Sequence, residues 1–266
     1  MSLLNLLLAG TALVATSMTL LWLLGIRRRN FSYVDIGWSA NFTLLAVLYG
    51  LEGGGEGSRR LLIATMYGLW GLRLAWHLGR RIVGEPEEGR YVELRRQWSA
   101  DGEGALNRRM YRFYLLQAAL DLVLAAPLLI VAQNPAATLS PLEWLALALW
   151  LMALAGETVA DAQLAHFKRS GAGHGAVCDR GLWRYSRHPN YFCEWLVWVA
   201  YAIAALASPP WGYLGLLMPA LMLYFLLRVT GIPATEAQAL RSKGDAYRDY
   251  QRRTSAFVPL PPRRTR

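Results

Sequence analysis

Cysteine and histidine are scarce in this chain of 266 residues. Its only cysteines, Cys178 and Cys193, form neither a disulfide framework nor a metal-ligand pattern. The four histidines are scattered, and none belongs to an H-x3-H or H-E-x-x-H motif. The sequence therefore predicts no structural metal.

Charged residues are missing from long stretches of the chain. Crossing the apolar core of a bilayer takes about 20 mostly apolar residues. The sequence predicts an all-α integral membrane protein with about seven transmembrane helices, forming a single membrane domain over residues 1–266. The runs with few or no charges lie near positions 3–26, 31–51, 61–79, 113–133, 141–165, 191–207 and 211–227.

Basic residues are unevenly distributed between the predicted loops. Alternate loops, 26–33, 80–112, 167–190 and 228–266, hold 25 of the 28 Lys and Arg residues. This positive-inside distribution predicts an outside N-terminus and a cytoplasmic C-terminus. The first run lacks the basic segment of a signal peptide, so we expect an uncleaved span. The net charge of +10 then needs no nucleic-acid partner, and the basic face could bind an anionic ligand.

Two acidic residues interrupt the fifth apolar run. Glu157, Asp161 and Lys168 lie within about 40° of one another on a helical wheel, near the predicted cytoplasmic end. An unpaired charge is costly inside a membrane, which favours a functional role for this stripe. A salt-bridged helix end that reaches the membrane interface would look similar.

The stretch "GLWRYSRHPNYFCEW" places polar residues directly before an apolar run. Its proline suits the first turn of a helix, so the sixth helix is predicted to begin there. Asn190 and Glu194 then share one helix face. A helix N-terminus flanked by Arg184 and Arg187 suits an anion, and Glu194 can accept hydrogen bonds from hydroxyl or amide groups. These features favour a nucleotide, although arginines bound to lipid headgroups and a capping asparagine remain an alternative.

The segment after the last apolar run is rich in tyrosine and arginine. Tyr247 and Tyr250 lie among arginines in a predicted amphipathic helix, where they could stack on a nucleobase. A helix on the membrane surface would have a similar composition. We predict a flexible loop at "GAGHGA" (171–176) and disorder in the final "PLPPRRTR".

Three of these stretches together resemble the C-terminal half of the steroid 5α-reductase family, in particular its bacterial branch. They are "ETVADAQLAHFKRSG", "GLWRYSRHPNYFCEW" and "YRDYQRRTSAFVPLPP", and the resemblance is strongest over roughly 150–262. The same part of the chain is similar, more distantly, to the intramembrane sterol reductases. In the N-terminal half, "YVDIGWS" and "RLAWHLGRR" resemble the bacterial branch less specifically.

The resemblance implies a membrane reductase of the bacterial cytoplasmic membrane. It implies that NADPH binds in a cytoplasm-facing site built by residues 141–262, with residues 1–133 on the substrate side. The reaction would reduce a carbon–carbon double bond conjugated to a carbonyl in a lipid-like substrate. The predicted partners are this substrate and membrane lipids, and the sequence predicts no oligomeric state.

The resemblance also implies which residues contact the nucleotide. It adds Glu236, which matches a carboxylate that the sterol reductases place after their last span. The cofactor site predicted from the residues and the resemblance together comprises Glu157, Asp161, Lys168, Arg184, Arg187, His188, Asn190, Tyr191, Glu194, Glu236, Tyr247 and Tyr250.

The chain departs from the family pattern in its second span. The Gln-Glu-Leu-Pro stretch of the steroid enzymes is absent, and Asp35, Trp38 and Asn41 lie in this span instead. Another lipid-like enone or an unsaturated acyl chain is therefore as admissible as a steroid. A neutral acid near the substrate carbonyl would stabilise the developing enolate. The candidates for this catalytic group are Asp35, Tyr33, Tyr67 and His77.

Two other functions remain open from the sequence. Isoprenylcysteine-type methyltransferases, which use S-adenosylmethionine, share an R-H-P-x-Y stretch but usually lack residues equivalent to Asn190 and Glu194. A lipid-binding protein without enzymatic activity could also present a basic face. The pair Glu157 and Asp161 argues against that reading, because the two carboxylates would repel phosphate.

Overall fold

The computed structural model describes residues 1–170, 175–229 and 231–263. Within these ranges the chain forms ten α-helices and no β-strand. They are α1 (Leu3–Arg28), α2 (Tyr33–Glu52), α3 (Gly57–Ile82), α4 (Gly89–Trp98), α5 (Glu103–Leu124), α6 (Ala126–Ala132), α7 (Pro141–Arg169), α8 (Pro189–Leu206), α9 (Leu217–Tyr224) and α10 (Ile232–Arg253). Short 3-10 turns lie at Ser99–Asp101, Gly181–Arg184 and Trp211–Leu216, and a π-turn at Phe225–Val229. Four residues of the predicted flexible loop, 171–174, lie outside the described residues.

Several helices are suited to a membrane. Four helical segments in the described part of the chain are long and apolar enough to cross it: Leu3–Arg28, Tyr33–Glu52, Pro141–Arg169 and Trp211–Arg253. A fifth is obtained if α5 and α6, which are bent by 41°, form one span. This criterion supports a polytopic membrane protein with four or five such helices. It does not reach the seven predicted, because residues such as Arg73 in α3 and Glu194 in α8 reduce the apolar character of their helices.

Single residues explain where helices bend or break. Pro127 lies in the first turn of α6, and its missing N–H and fixed φ favour a new helix start there. Gly244 interrupts α10 with φ 53° and ψ −125°, a conformation suited to glycine alone. The apolar residues of the Trp211–Arg253 segment precede α10, and α10 itself is rich in charge. We therefore treat α10 as lying outside the apolar layer.

The chain divides into two compact units. The first contains residues 1–140 and 207–212, in which α2 packs against α3 and α1 packs against α2 and α5. A Cβ atom on Gly71 would lie 2.8 Å from the main-chain oxygen of Ser39, so α3 approaches the backbone of α2 directly. The predicted loop 80–112 contains α4, and the main-chain N–H of Glu88 donates to Ser32 Oγ at 2.9 Å. This contact holds the start of α4 against the turn between α1 and α2.

The second unit contains residues 141–206 and 213–266. Its helices α7 and α8 pack against each other along much of their length, and α9 packs against α8. Phe257, which follows α10, is buried with Leu226 and Ile232. Every predicted cofactor-binding residue belongs to this unit.

Candidate cofactor-binding site

The helices α7 and α8 approach each other closely at a glycine. A Cβ atom on Gly156 would lie 2.7 Å from Cys193 Sγ, so the thiol fits only because Gly156 has no side chain. Near this crossing, Asn190 Nδ2 donates a hydrogen bond to Asp161 Oδ1 at 3.2 Å. Glu157, which is buried, and Asp161 both lie within electrostatic range of the thiol. The crossing therefore brings the two carboxylates of α7 to the polar start of α8.

The loop before α8 is attached to α7 by two hydrogen bonds. The main-chain N–H of Leu182 donates to Gln163 Oε1 at 2.9 Å, and Trp183 Nε1 donates to the carbonyl of Ala160 at 2.9 Å. Gly181 has φ +58°, and a Cβ atom there would lie 2.5 Å from the Gln163 amide. Only glycine lets the loop pass so close to α7 in this conformation.

A partly buried ion pair connects this loop to α10. Arg187 Nε lies 2.6 Å from Glu236 Oε1, and its Nη1 donates to the carbonyls of Thr254 at 2.6 Å and Gln251 at 3.1 Å. Gln251 Nε2 donates to Glu236 Oε2 at 2.9 Å, and His188 Nε2 lies 3.3 Å from Glu236 Oε1. We call these five residues the Arg187–Glu236 network. It fixes the R-H-P-N stretch against the end of the chain.

The network controls the charge of Glu236. Partial burial alone would raise the pKa of this carboxyl group. The hydrogen bonds from His188 and Arg187, together with the guanidinium charge, outweigh burial and lower the pKa to about 2. Glu236 is therefore an ionised partner of Arg187 at any physiological pH.

Two tyrosines of α10 support the same loop. The Tyr250 hydroxyl donates to the carbonyls of Trp183 and, at 3.2 Å, Ser186. Burial raises the pKa of Tyr250 above its ordinary value and, assisted by the charge of Glu236, raises that of Tyr247 to about 12. Both phenols are therefore neutral hydrogen-bond donors at neutral pH.

The segment after α10 is ordered, so the predicted disorder of "PLPPRRTR" is wrong for residues 259–263; residues 264–266 lie outside the described residues. The segment is held because its main chain bonds to the loop before α8 and to α10. The donors and acceptors are Arg187 N to Ser255 O at 2.8 Å, Ser186 Oγ to Phe257 O at 2.7 Å, Leu260 N to Tyr185 O at 2.9 Å and Arg263 N to Arg253 O at 2.8 Å.

An open groove with a volume of about 660 Å³ lies beside this loop. We call it the basic groove, and its lining includes Arg180, Arg184, Arg253, Arg263 and one acid, Asp179. Arg253 Nη2 lies 3.0 Å from Asp179 Oδ2, so this pair is partly neutralised. The remaining arginines give the groove a net positive charge, which suits a phosphate group.

Two lysines lie within electrostatic range of each other: Lys168, in the last turn of α7, and Lys243, in the middle of α10. Burial and the nearby charge of Lys168 lower the pKa of Lys243. Two ammonium groups close enough to affect each other repel, and an anion between them would relieve that repulsion.

A family model described as "Protein of unknown function (DUF1295)" matches residues 21–254. The chain belongs to the DUF1295 family. "Uncharacterized protein C594.04c" of Schizosaccharomyces pombe is 29% identical over 223 residues, which are 71% of this chain and 61% of that protein. The chain thus spans about three fifths of the length of the relative it matches. No solved structure matches it significantly.

The DUF1295 chain gives its two predicted phosphate-binding arginines different surroundings. Arg187 is 10% exposed, and its guanidinium group bonds to Glu236 and to the carbonyls of Gln251 and Thr254 in the Arg187–Glu236 network. Arg184 is exposed and lines the basic groove. Sequence reasoning treated the two residues alike. The structure gives Arg187 a role in holding the loop and leaves Arg184 accessible to a ligand.

The other predicted cofactor residues lie around the same loop. Glu194 is half-buried on α8, one turn after Asn190, and Lys168 is exposed at the end of α7. The Tyr191 ring stacks on His188 with 5.4 Å between ring centroids, and its hydroxyl lies 3.2 Å from Thr235 Oγ1. These polar side chains together are suited to a dinucleotide. Guanidinium groups suit its phosphates, while carboxylates and an amide suit its ribose hydroxyls and carboxamide.

The predicted catalytic residues all lie in the first unit and have different surroundings. Asp35 Oδ1 lies 2.7 Å from Arg90 Nη2 and accepts a hydrogen bond of 2.7 Å from Tyr91. Both contacts of Asp35 are therefore with residues of α4. Tyr67 donates to the carbonyl of Leu124 at 3.1 Å. Tyr33 is half-buried at the start of α2, and His77 is exposed on α3. The four candidates thus lie on two helices and differ in burial.

Sequence reasoning missed several polar residues that the structure makes prominent. Gln163 and Gln251 hold the loop and the ion pair, but isolated glutamines give no sequence signal. Lys243 was hidden in a charged segment. Asp121 did have a signal, because it is the only charged residue in the apolar run 113–133.

Proposed function

We propose that this protein is an NADPH-dependent integral-membrane reductase of an activated carbon–carbon double bond in a lipid-like substrate. One observation carries the proposal: a single loop of the second unit joins two kinds of binding chemistry. On one side Arg184 lines the basic groove, and at its end Asn190 contacts Asp161 and precedes Glu194. A dinucleotide needs both, because it carries phosphates as well as hydroxyl and amide groups.

The resemblance of the chain supports the same reading. The DUF1295 family is associated with steroid 5α-reductase-like proteins. The stretches that carry the resemblance are the ones that form the loop, the ion pair and the C-terminal segment of the second unit. We propose the finer topology of seven spans, an outside N-terminus and a cytoplasmic site in a bacterial inner membrane from the distribution of basic residues.

Each group of residues has a distinct task in this proposal. Arg184 and the other arginines of the basic groove hold phosphate, while Asp161, Asn190 and Glu194 bind ribose hydroxyls and the carboxamide. The Arg187–Glu236 network, with Tyr250, keeps the loop in place for both. NADPH, when bound, supplies a hydride to the β-carbon of the enone. A proton added at the α-carbon would complete the reduction.

The basic groove favours this function over a methyltransferase. S-adenosylmethionine has no phosphate group and carries a positive charge at sulfur, so arginines can pair only with its carboxylate. NADPH carries a pyrophosphate and a 2′-phosphate. A groove lined by arginines therefore favours NADPH over S-adenosylmethionine.

Ligand binding to the purified protein in detergent tests the proposal. NADPH, NADH and S-adenosylmethionine are titrated separately while the unfolding temperature is recorded. NADPH is expected to raise this temperature saturably. Glu194→Ala is expected to weaken NADPH binding about ten- to hundredfold, because a hydrogen bond to a charged group is lost.

Asp245→Ala is the matched control. Asp245 is an acid of the same unit whose side chain is 91% exposed, and its removal is expected to leave NADPH binding unchanged. Stabilisation by S-adenosylmethionine alone would overturn the reductase and favour a methyltransferase. Stabilisation by none of the three, in folded protein, would favour a lipid-binding role.

A further inference from the structure

A buried polar pair lies between α2 and α5 in the first unit. Asn41 and Asp121 are both 0% exposed, and Asn41 Nδ2 donates to Asp121 Oδ2 at 2.6 Å. The other two side-chain oxygens, Asn41 Oδ1 and Asp121 Oδ1, have no hydrogen-bond partner among the described residues. Within that part of the chain, Asp121 also has no Lys, Arg or His at salt-bridge distance.

Such a pair is unfavourable for stability. A buried acceptor without a partner loses its hydration and gains nothing in return. An ionised carboxylate without a cation would be worse in an apolar helix bundle. A neutral carboxylic acid is the less costly form, and it supplies one O–H donor.

Aromatic side chains precede and follow Asn41 along α2, and they pack on a tryptophan of α3. Trp38, one helical turn before Asn41, lies 6.2 Å from Trp70 between ring centroids, and Phe42 lies 5.6 Å from Trp70. Tyr67 is engaged with the carbonyl of Leu124, one turn after Asp121. A neutral Asp121 thus offers one O–H donor in an apolar region with aromatic residues nearby in the chain, which suits a flat apolar molecule that carries one acceptor oxygen.

We propose that Asp121 donates its O–H to the carbonyl oxygen of the lipid substrate and that Asn41 positions this acid through its Nδ2 hydrogen bond. This inference rests on the proposed reductase function. When a hydride adds to the β-carbon, the π electrons of the double bond move onto the carbonyl oxygen. The hydrogen bond from Asp121 stabilises that negative charge until a proton from water reaches the α-carbon. Because the pair is fully buried, the substrate enters by a local separation of α2 and α5.

Two variants separate this role from a structural one. Asp121→Asn keeps the shape of the side chain and removes the acid. The double variant Asn41→Leu with Asp121→Leu replaces the pair by apolar side chains of similar size. Thr43→Val is the control on α2, because Thr43 makes a satisfied hydrogen bond of 3.0 Å to the carbonyl of Gly68.

Unfolding temperature and NADPH oxidation are measured for each variant, with a 3-oxo-Δ4 steroid and a long-chain 2-enone as substrates. The double variant is expected to unfold at or above the wild-type temperature, whereas Thr43→Val unfolds below it. Asp121→Asn is expected to lower kcat by about 10²–10³-fold, the loss typical of a removed oxyanion donor. Its stabilisation by NADPH is expected to equal that of the wild type.

A double variant that unfolds several degrees below the wild type would overturn the inference, since the pair would then be structural. Wild-type turnover in Asp121→Asn would overturn it too. Failure of the proposed function has a different signature: wild-type protein that neither binds NADPH nor oxidises it with either enone. In that case both the reductase function and the hydrogen bond from Asp121 to a substrate carbonyl are refuted.

Discussion

Replacing Glu236 by glutamine is expected to destabilise the protein in a pH-dependent way. The pKa of Glu236 is about 2 in the folded protein against an ordinary value of 4.5. At about 1.4 kcal/mol per pH unit, this difference corresponds to about 3 kcal/mol as an upper figure. The side chain is 15% exposed, so solvent screens the pair only weakly. Glutamine keeps an acceptor but removes the charge that Arg187 needs in this buried position.

The sign of the pH effect follows from the lowered pKa. A carboxyl group with a lowered folded pKa stabilises the protein above its unfolded pKa and stops doing so as the pH falls to the folded value. The wild type should therefore exceed Glu236→Gln in stability at pH 7. The difference should shrink as the pH falls below about 4.5 towards 2.

Thermal unfolding in detergent between pH 7 and pH 3 measures this difference. At about 2–4 °C per kcal/mol for a chain of this size, the variant should unfold roughly 6–12 °C below the wild type at pH 7. Glu93→Gln is the control, because Glu93 pairs with Arg96 on the surface with 46% of its side chain exposed. Unfolding temperatures that differ equally at pH 7 and pH 3, or not at all, would refute the reasoning.

Three further predictions concern single positions. Gly156→Ala should destabilise the protein by about 1–3 kcal/mol, measured by thermal unfolding, because its Cβ would lie 2.7 Å from Cys193 Sγ. Adding Cys193→Gly to this variant should restore most of the lost stability. A double variant as unstable as Gly156→Ala would contradict the close approach of Gly156 and Cys193. Gly244→Ala should cost about 1–3 kcal/mol through its positive φ alone, while Gly79→Ala, in open space on a regular helix, should be neutral or stabilising. Arg184→Ala should reduce the preference for NADPH over NADH in binding titrations without lowering the unfolding temperature, and an unchanged preference would exclude Arg184 from binding the 2′-phosphate.

The second unit shows how far sequence patterns reach. The start of α8 at Pro189 and a helix over the tyrosine- and arginine-rich segment are both observed. These features are local, because proline geometry and helical periodicity act over a few residues. The order of the C-terminal segment is not local. It depends on hydrogen bonds to a loop about 70 residues earlier in the chain. The composition of the segment does not predict such contacts.

The first unit shows the opposite limit. The sequence predicts Asp35 as one candidate for a neutral acid, and the structure pairs it with Arg90, 55 residues away. Asp121 has the same kind of sequence signal, and the structure leaves one of its oxygens unmatched. Two lone acids in apolar runs look alike until the partners of each are known.

The sequence by itself determined that this protein is helical and built for a membrane, since run length and charge distribution act residue by residue. It also indicated the polar residues around "RHPNYFCEW", because polar side chains are conspicuous next to an apolar run. Only the tertiary structure decided which charged side chains are paired within the protein and which are accessible to a ligand. Arg184 and Arg187 are three residues apart, yet one lines a groove and the other is held by Glu236, Gln251 and Thr254. The physical reason is that the state of a charge depends on burial and on partners within a few ångströms, and folding brings those partners from distant parts of the chain.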